Sequence, residues 1–198
     1  MIIKIILPHT FKVDTTADYL IGVDYGAFQC AQHKIMMDVA IGDFDSVSDD
    51  ELEIIKQYSK EVIQLNVDKN ETDSEAAIIH AKKFNPSDIM MIGDLGSRLD
   101  HLLTNIKLVS KYDVRYQSKD NLITSYNPGD YELKNEQSII SIITVSDAII
   151  SLSGTAYTLE QQAVSVSDNY LTSNKITEDV ATLIVHQGKI LLVSSSAE

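Results

Sequence analysis

Cysteine and tryptophan are nearly absent from this chain: among its 198 residues Cys30 is the only cysteine, and there is no tryptophan. A single thiol cannot form an intrachain disulfide, and it excludes a structural metal site built from several cysteines. A chain of this length can bury a hydrophobic core without disulfides or a structural metal, as one large domain or two small ones. The cysteine content therefore favours a globular protein in a reducing compartment.

Basic residues and long hydrophobic runs are also scarce. The chain has 16 Lys and Arg against 29 Asp and Glu, a net charge of −13, which argues against binding to nucleic acid or to an anionic membrane. The apolar start of the chain ends at Pro8, far short of the roughly 18 apolar residues of a spanning helix. It also lacks the pattern of a secretory signal. We therefore expect a cytoplasmic protein with neither nucleic acid nor membrane as a partner.

The first 118 residues alternate short apolar runs with longer segments of helical periodicity. This pattern is typical of βαβ units on a parallel sheet and predicts a Rossmann-like α/β domain. The predicted strands are residues 2–7, 19–23, 39–41, 62–65, 89–92 and 114–117. The predicted helices are residues 27–33, 49–58, 72–84 and 98–112.

The composition and the hydrophobic pattern of the sequence change after Asp120. The run Asn127-Pro128-Gly129-Asp130 is a strong turn signal, and short stretches rich in Ser, Thr, Val and Ile follow it. The predicted strands are residues 131–133, 138–145, 148–152, 157–159, 180–185 and 190–193. We therefore expect an antiparallel β-sandwich or barrel. The predicted domains are residues 1–124 and 125–198.

Acidic residues follow the predicted parallel strands. The second to fifth strands are followed in turn by Asp24, by Gly42-Asp43-Phe44-Asp45-Ser46, by Asp68, Thr72 and Asp73, and by Gly93 to Arg98. The carboxyl ends of such strands form the crevice where ligands bind. Carboxylates gathered there repel one another unless a cation lies among them, and oxygen ligands favour Mg²⁺ or Mn²⁺. The pattern predicts a metal-dependent site for a phosphate-bearing substrate.

Two further features could bind phosphate. Thr72 and Glu75 have the spacing of a helix capping box, and a helix N-terminus attracts anions. Arg98 could clamp phosphate oxygens in a bidentate contact. Each feature also has a purely structural interpretation: the Asp-x-Asp turn as a capping loop, Thr72 as a helix start, and Arg98 as the partner of a surface carboxylate.

Five segments resemble the thiamine pyrophosphokinase family, and the first three of them also agree with it in order and in separation. Residues 42–46 match its Gly-Asp-Phe-Asp-Ser, residues 69–77 resemble its Lys-Asp-x-Thr-Asp-x-Glu-x-Ala, and residues 93–101 resemble its Gly-x-x-Gly-Gly-Arg-x-Asp-His. Residues 152–160 are similar to its Leu-x-Gly-x-x-Tyr-x-Leu segment, and residues 165–169 resemble its Gly-x-Ser-Asn, with Asp168 at the Asn position. The resemblance covers nearly the whole chain.

The resemblance implies that a diphosphoryl group passes from ATP to the hydroxyl of thiamine, with Mg²⁺, releasing AMP. It also implies a homodimer in which thiamine binds where the β domain of one subunit meets the α/β domain of the other. Together with the strand-end argument, it gives three sets of candidate residues. The catalytic candidates are Asp43, Asp45, Asp73, Arg98 and Asp100, of which Asp43, Asp45 and Asp73 would bind the metal. The nucleotide-binding candidates are Asp24, Lys69, Thr72, Gly93 and Gly96. The thiamine-binding candidates are Asp100, Ser167 and Asp168.

Two other functions fit parts of the sequence. Residues 43–47 also match the motif of haloacid-dehalogenase-type phosphatases, with Asp43 as nucleophile and Asp45 as acid. In that class the motif normally follows the first strand, whereas here it follows the third. The other alternative is a non-catalytic module that binds a nucleotide with Mg²⁺.

Overall fold

The computed structural model describes residues 1–10, 16–94, 98–135 and 139–196. The chain divides into two compact units, residues 1–108 with 114–119, and residues 109–113 with 120–198. The predicted boundary after residue 124 falls within a strand, Asn121–Tyr126.

The first unit is built from six parallel strands and the helices that connect them. The strands are β1 (Ile2–Ile6), β2 (Tyr19–Val23), β3 (Met37–Gly42), β4 (Ser59–Gln64), β5 (Asp88–Ile92) and β6 (Arg115–Gln117). The helices are α1 (Tyr25–Gln32), α2 (Asp49–Gln57), α3 (Asp73–Lys82) and α4 (Leu99–Tyr112). The strands lie side by side in the order β6-β5-β1-β2-β3-β4, so their carboxyl ends form one edge.

Burial and capping explain these elements. β1, β2, β3 and β5 are almost wholly buried and read as continuous apolar runs, as expected of parallel strands covered on both faces. Ser48 begins α2 with a capping box, because its Oγ accepts the N–H of Glu51 while the Glu51 carboxylate accepts the N–H of Ser48. Thr72 caps α3, accepting the N–H of Glu75 at 3.2 Å.

The second unit is antiparallel. One array contains β7 (Asn121–Tyr126), β9 (Ile139–Thr144), β12 (Asn174–Lys175) and β14 (Ile190–Ser195), in the order β12-β9-β14-β7. The other contains β8 (Gly129–Lys134), β10 (Ala148–Ser153), β11 (Leu159–Val164) and β13 (Val180–Gln187), in the order β11-β10-β13-β8. Ile140, Ile142, Ile150, Leu152 and Leu183, which come from both arrays, belong to one apolar core.

The expected mixed architecture, with a large sheet and a second antiparallel sheet, is confirmed. β7 and β12 were not predicted, and the strand predicted at residues 157–159 is instead β11, which begins at Leu159. Within the described residues, no helix is both long and apolar enough to cross a membrane.

Candidate active site

Three carboxylates meet at the carboxyl-end edge of the first unit. Asp24 follows β2, Asp43 follows β3, and Asp73 begins α3. One oxygen of each lies within 4.8 Å of the others, and all three side chains are partly buried. Three negative charges this close repel one another strongly unless a cation shares the site. We call Asp24, Asp43 and Asp73 the acidic cluster.

The backbone around Asp24 is shaped to present its carboxylate. Asp24 has a φ of 46° and occupies the N-cap position of α1, but its side chain caps nothing there. Its Oδ1 instead accepts the N–H of Phe44 at 3.3 Å. An added Cβ at Gly42 would lie 1.8 Å from that oxygen, so only glycine leaves room for it. A positive φ outside glycine is energetically costly and is most common at functional sites.

Lys69 is the cation of the site. Its Nζ lies 3.0 Å from Oδ1 of Asp73 and 3.8 Å from Oδ2 of Asp43, and it donates a hydrogen bond to the carbonyl of Asn66 at 3.2 Å. Burial lowers the Lys69 pKa, but Asp73, Asp43 and Asp24 outweigh this effect, so the pKa is raised overall and Lys69 stays charged. One ammonium leaves the three carboxylates with excess negative charge.

Asp73 Oδ1 provides a test of whether the cluster suits a metal. This oxygen is buried and, among the described residues, accepts no hydrogen bond of acceptable geometry, so the Lys69 contact is an ion pair only. The Lys69 charge offsets part of the cost of burying this oxygen without a hydrogen bond, and a cation ligand would offset more of it. The three-carboxylate donor set therefore fits a hard, oxygen-binding divalent cation such as Mg²⁺.

Burial and charge also perturb the protonation of Asp24. Burial is the largest cause and repulsion from Asp73 the second, and together they raise the pKa of Asp24 from 3.8 to about 7. The hydrogen bond from the Phe44 N–H acts in the opposite direction. A folded-state pKa above the unfolded value means that Asp24 stabilises the fold below about pH 4, and this contribution is lost as the pH rises to about 7.

We therefore expect the free energy of unfolding of the metal-free protein to fall, relative to an Asp24→Asn variant, between about pH 4 and pH 7. The measurement is denaturant unfolding of both proteins with a chelator present, at several pH values across this range. Parallel pH profiles for the two proteins would contradict the assigned pKa of Asp24.

Asp45 lies beside the acidic cluster and is not a member of it. Its side chain is exposed, and its N–H donates to Oδ1 of Asp43 at 3.1 Å. The neighbouring Asp43 charge raises the Asp45 pKa. Of the predicted metal ligands, the structure thus brings Asp43 and Asp73 together and places Asp24, rather than Asp45, as the third carboxylate.

Gly93, a predicted nucleotide-binding residue directly after β5, is fixed against the neighbouring strand β6. The N–H of Gly93 donates to the carbonyl of Gln117 at 3.1 Å, and the hydroxyl of Tyr116 donates to the carbonyl of Asp94 at 2.9 Å. A Cβ at Gly93 would crowd Leu7 and Tyr116 at 3.1 Å. Gly96 lies outside the described residues.

Arg98 and Asp100 bond to each other at the start of α4. Nε and Nη2 of Arg98 donate to the two Asp100 oxygens at 3.0 and 2.7 Å, and both side chains are about two-thirds exposed. The Arg98 contact holds the Asp100 pKa well below its usual range. The structure therefore shows the surface-pair alternative for Arg98, and Arg98 must leave Asp100 to reach a phosphate.

In the second unit, Asp168 closes a turn. Its Oδ2 accepts the N–H of Ser165 at 2.6 Å, and Ser167 Oγ lies 3.1 Å from Ser165 Oγ. Asp168 and Ser165 also line a cavity of about 290 Å³. The predicted thiamine-binding residues Ser167 and Asp168 thus lie together, with one Asp168 oxygen already engaged.

The structure also identifies Asn174, which the sequence reasoning missed. Its Oδ1 accepts the N–H of Tyr157 at 3.0 Å, and its Nδ2 donates to the carbonyl of Tyr157 at 2.7 Å. Asn174 is buried, whereas the Tyr157 side chain is 72% exposed. In the sequence Asn174 is marked only as part of the Ser-Asn pair Ser173-Asn174.

A parallel α/β unit with carboxylates and a lysine at its carboxyl-end edge is typical of enzymes that bind phosphate groups through a divalent cation. Residues 12–123, more than half of the chain, match the family model described as the thiamin pyrophosphokinase catalytic domain. The chain therefore belongs to the thiamine pyrophosphokinase family.

Individual relatives agree with this assignment. A thiamine pyrophosphokinase from Bacillus subtilis is 28% identical over 185 residues, which cover 89% of this chain and 86% of that protein. The crystal structure of a thiamin pyrophosphokinase from Geobacillus thermodenitrificans has a TM-score of 0.89 and 25% identity, over 100% of this chain and 99% of the other. The Candida albicans enzyme, at 15% identity, shares the fold, with a TM-score of 0.83 over 99% of this chain and 89% of the other.

Proposed function

We propose that the chain is a thiamine diphosphokinase, which transfers a diphosphoryl group from ATP to the hydroxyl of thiamine and releases AMP. The observation that carries the mechanism is the acidic cluster with Lys69 at the carboxyl ends of parallel strands. The phosphatase alternative is not favoured by the family assignment, and Asp43 follows β3 rather than the first strand.

Asp24, Asp43 and Asp73 would hold Mg²⁺ in this proposal, with the exposed Asp45 beside Asp43. When bound, the ion neutralises negative charge on the triphosphate. Lys69 adds a fixed positive charge at the same place. The N-terminus of α3, with its partial positive charge, adds a further favourable field for phosphate. Positioning and electrostatics account for most of the catalysis in phosphoryl transfer.

The reaction forms a bond between the thiamine hydroxyl oxygen and the β-phosphorus of ATP, and it breaks the bond from that phosphorus to the oxygen bridging to the α-phosphorus. AMP leaves with the bridging oxygen, and the hydroxyl proton passes to a neighbouring carboxylate or to solvent. Asp100 has both oxygens engaged by Arg98, whereas Oδ1 of Asp73 accepts no hydrogen bond among the described residues. We assign Asp73, through the carboxylate oxygen that the metal leaves free, to orient the hydroxyl, and Arg98, once released from Asp100, to contact phosphate.

The proposal also covers the fold type of each unit and the assembly of the protein. The first unit would be a Rossmann-like ATP-binding domain. The second would be a β-sandwich that binds thiamine through the Tyr157 segment fixed by Asn174 and through Ser167 and Asp168. We also propose a cytoplasmic homodimer whose active sites are completed by the second unit of the partner subunit.

The direct test is to incubate the protein with ATP, Mg²⁺ and thiamine, to omit each in turn, and to identify the products by chromatography. We expect AMP and thiamine diphosphate in equal amounts, and neither when any component is omitted. ADP as the product would indicate a monophosphate kinase. Inorganic phosphate released without thiamine would indicate the phosphatase, and nucleotide binding without any product would indicate the non-catalytic module.

A further inference from the structure

Tyr116, in the middle of the short strand β6, holds the chain where it leaves β5. Its side chain is buried, with 2% of its surface exposed. Its hydroxyl donates a hydrogen bond of 2.9 Å to the main-chain carbonyl of Asp94, the second residue after β5. Burial, and then the charge of Asp94, raise the pKa of Tyr116 to about 12. The hydroxyl therefore stays protonated near neutral pH and remains a donor.

The backbone after β5 is held from both sides. The carbonyl of Asp94 accepts the Tyr116 hydroxyl, and its N–H donates to the carbonyl of His9, which follows β1, at 3.2 Å. One residue earlier, the N–H of Gly93 donates to the carbonyl of Gln117 in β6 at 3.1 Å. Since β6 and β1 lie on either side of β5, both neighbouring strands fix the residues that follow it.

Gly93 leaves room for the Tyr116 hydroxyl. A Cβ at this position would lie 3.1 Å from the hydroxyl oxygen and 3.1 Å from Cβ of Leu7. Both distances are shorter than an ordinary van der Waals contact, so a side chain at position 93 would push the hydroxyl away from Asp94. Gly93 thus has a packing role that does not depend on a bound phosphate.

The fixed backbone leads toward Arg98. Asp94 is the last described residue before Arg98, which lies four positions further on and directly precedes α4. Arg98 is about two-thirds exposed and is bonded to Asp100, so it must change partner to contact phosphate. A backbone that is already fixed lowers the entropy that is lost when such a side chain is placed at the transition state.

We propose, resting on the function proposed above, that Tyr116 is a positioning residue for the transfer: it fixes the Asp94 peptide and thereby the backbone from which Arg98 contacts phosphate. Tyr116 touches no substrate in this assignment, because its ring is buried and its hydroxyl is bonded to Asp94. Its effect on the rate is indirect, so that effect should depend on the presence of Arg98.

The first test removes only the hydroxyl. Tyr116→Phe keeps the ring and is expected to lower kcat for thiamine-dependent AMP formation about tenfold, as misplacement of a catalytic group does. The KM for thiamine should change less than twofold. The matched control is Tyr131→Phe, since the Tyr131 hydroxyl also donates to a main-chain carbonyl, that of Asn127, at 2.9 Å in the second unit. This control should lower the unfolding temperature and leave kcat within twofold of the wild type.

Arg98→Ala separates positioning from a purely structural role. In the Arg98→Ala background, Tyr116→Phe should change kcat less than twofold, because the side chain through which Tyr116 acts is gone. An equal tenfold loss in both backgrounds would overturn the proposal. A lower unfolding temperature with an unchanged kcat would also overturn it, since Tyr116 would then contribute to stability alone.

Amide hydrogen exchange gives a readout that does not depend on activity. The Asp94 amide should exchange at least ~10-fold faster in Tyr116→Phe than in the wild type, and at the wild-type rate in Tyr131→Phe. If Tyr116→Phe does not fold, judged by thermal unfolding, Gly93→Ala replaces it, because its methyl group displaces the same hydroxyl. The same loss of kcat, with the same dependence on Arg98, is then expected.

The two proposals fail in different ways. If the wild type forms AMP with thiamine and Tyr116→Phe equals it in kcat and in the exchange of the Asp94 amide, the positioning role is wrong and the proposed function stands. If the wild type forms no AMP, the proposed function is wrong, and the role of Tyr116 in the transfer is wrong with it.

Discussion

Replacing Asp43 by Asn is expected to lower kcat at least ~10²-fold, the scale at which removal of one preorganised electrostatic group acts. Asp43 lies in the acidic cluster, and its Oδ2 lies 3.8 Å from Lys69. Asparagine has nearly the same shape and can still accept the N–H of Asp45, so the change removes charge and little else. The measurement is the initial rate of thiamine-dependent AMP formation with saturating ATP and Mg²⁺.

The unfolding temperature distinguishes a loss of catalytic charge in the Asp43→Asn variant from misfolding of that variant. Asp43 is one of the charges that raise the Asp24 pKa, so its loss relieves repulsion within the cluster. The unfolding temperature of the Asp43→Asn variant without metal should therefore equal or exceed that of the wild type. Asp50→Asn, at an exposed position of α2, is the control and should leave the rate unchanged. A rate for Asp43→Asn within threefold of the wild type would remove Asp43 from the catalytic machinery.

The choice of the third carboxylate shows where sequence reasoning reached its limit. Asp43 and Asp45 are two residues apart, and in an extended segment such side chains point to the same side. Phe44, however, has a φ of 58° and is buried, so the segment is not extended there. The turn directs Asp45 to solvent, and Asp24 from the neighbouring strand occupies the third position. Backbone φ at a non-glycine residue has no dependable sequence signal.

The strands also differ in how well the sequence predicts them. β1, β3 and β5 are buried on both faces and were predictable from their apolar runs. β11 has four consecutive exposed residues, Glu160 to Ala163, and β10 is its one pairing partner among the strands that the structure describes. An edge strand of this kind is held mainly by its backbone hydrogen bonds, so its side chains carry no alternating pattern.

Arg98 illustrates a third limit of sequence-based prediction: two partners can compete for the same side chain. The sequence placed an arginine and an aspartate two residues apart before a helix, and both phosphate binding and pairing with a carboxylate were chemically reasonable. The structure shows the pairing, in a bidentate contact at 2.7 and 3.0 Å. In the proposed function Arg98 would exchange Asp100 for phosphate, and the order of residues does not indicate which of the two partners it takes.

Gly42→Ala is expected to abolish most activity, again at least ~10²-fold, without removing any charged group. The new methyl carbon would lie 1.8 Å from Oδ1 of Asp24, so either the carboxylate or the end of β3 must move. Overpacking of this kind costs about 1–3 kcal/mol of stability. The variant should therefore be both less stable and nearly inactive in the same assay.

The double variant Gly42→Ala with Asp24→Ala identifies which of the two groups moves. Removing the Asp24 carboxylate makes room for the methyl group, so the double variant should regain the stability that Gly42→Ala alone loses, while activity stays low. The free energies of unfolding of the wild type, both single variants and the double variant then form a cycle with a coupling energy. Equal destabilisation by Gly42→Ala with and without the Asp24 carboxylate would instead place the strain in the β3 backbone. The loss of activity would then come from displacement of Asp43, the residue that follows Gly42.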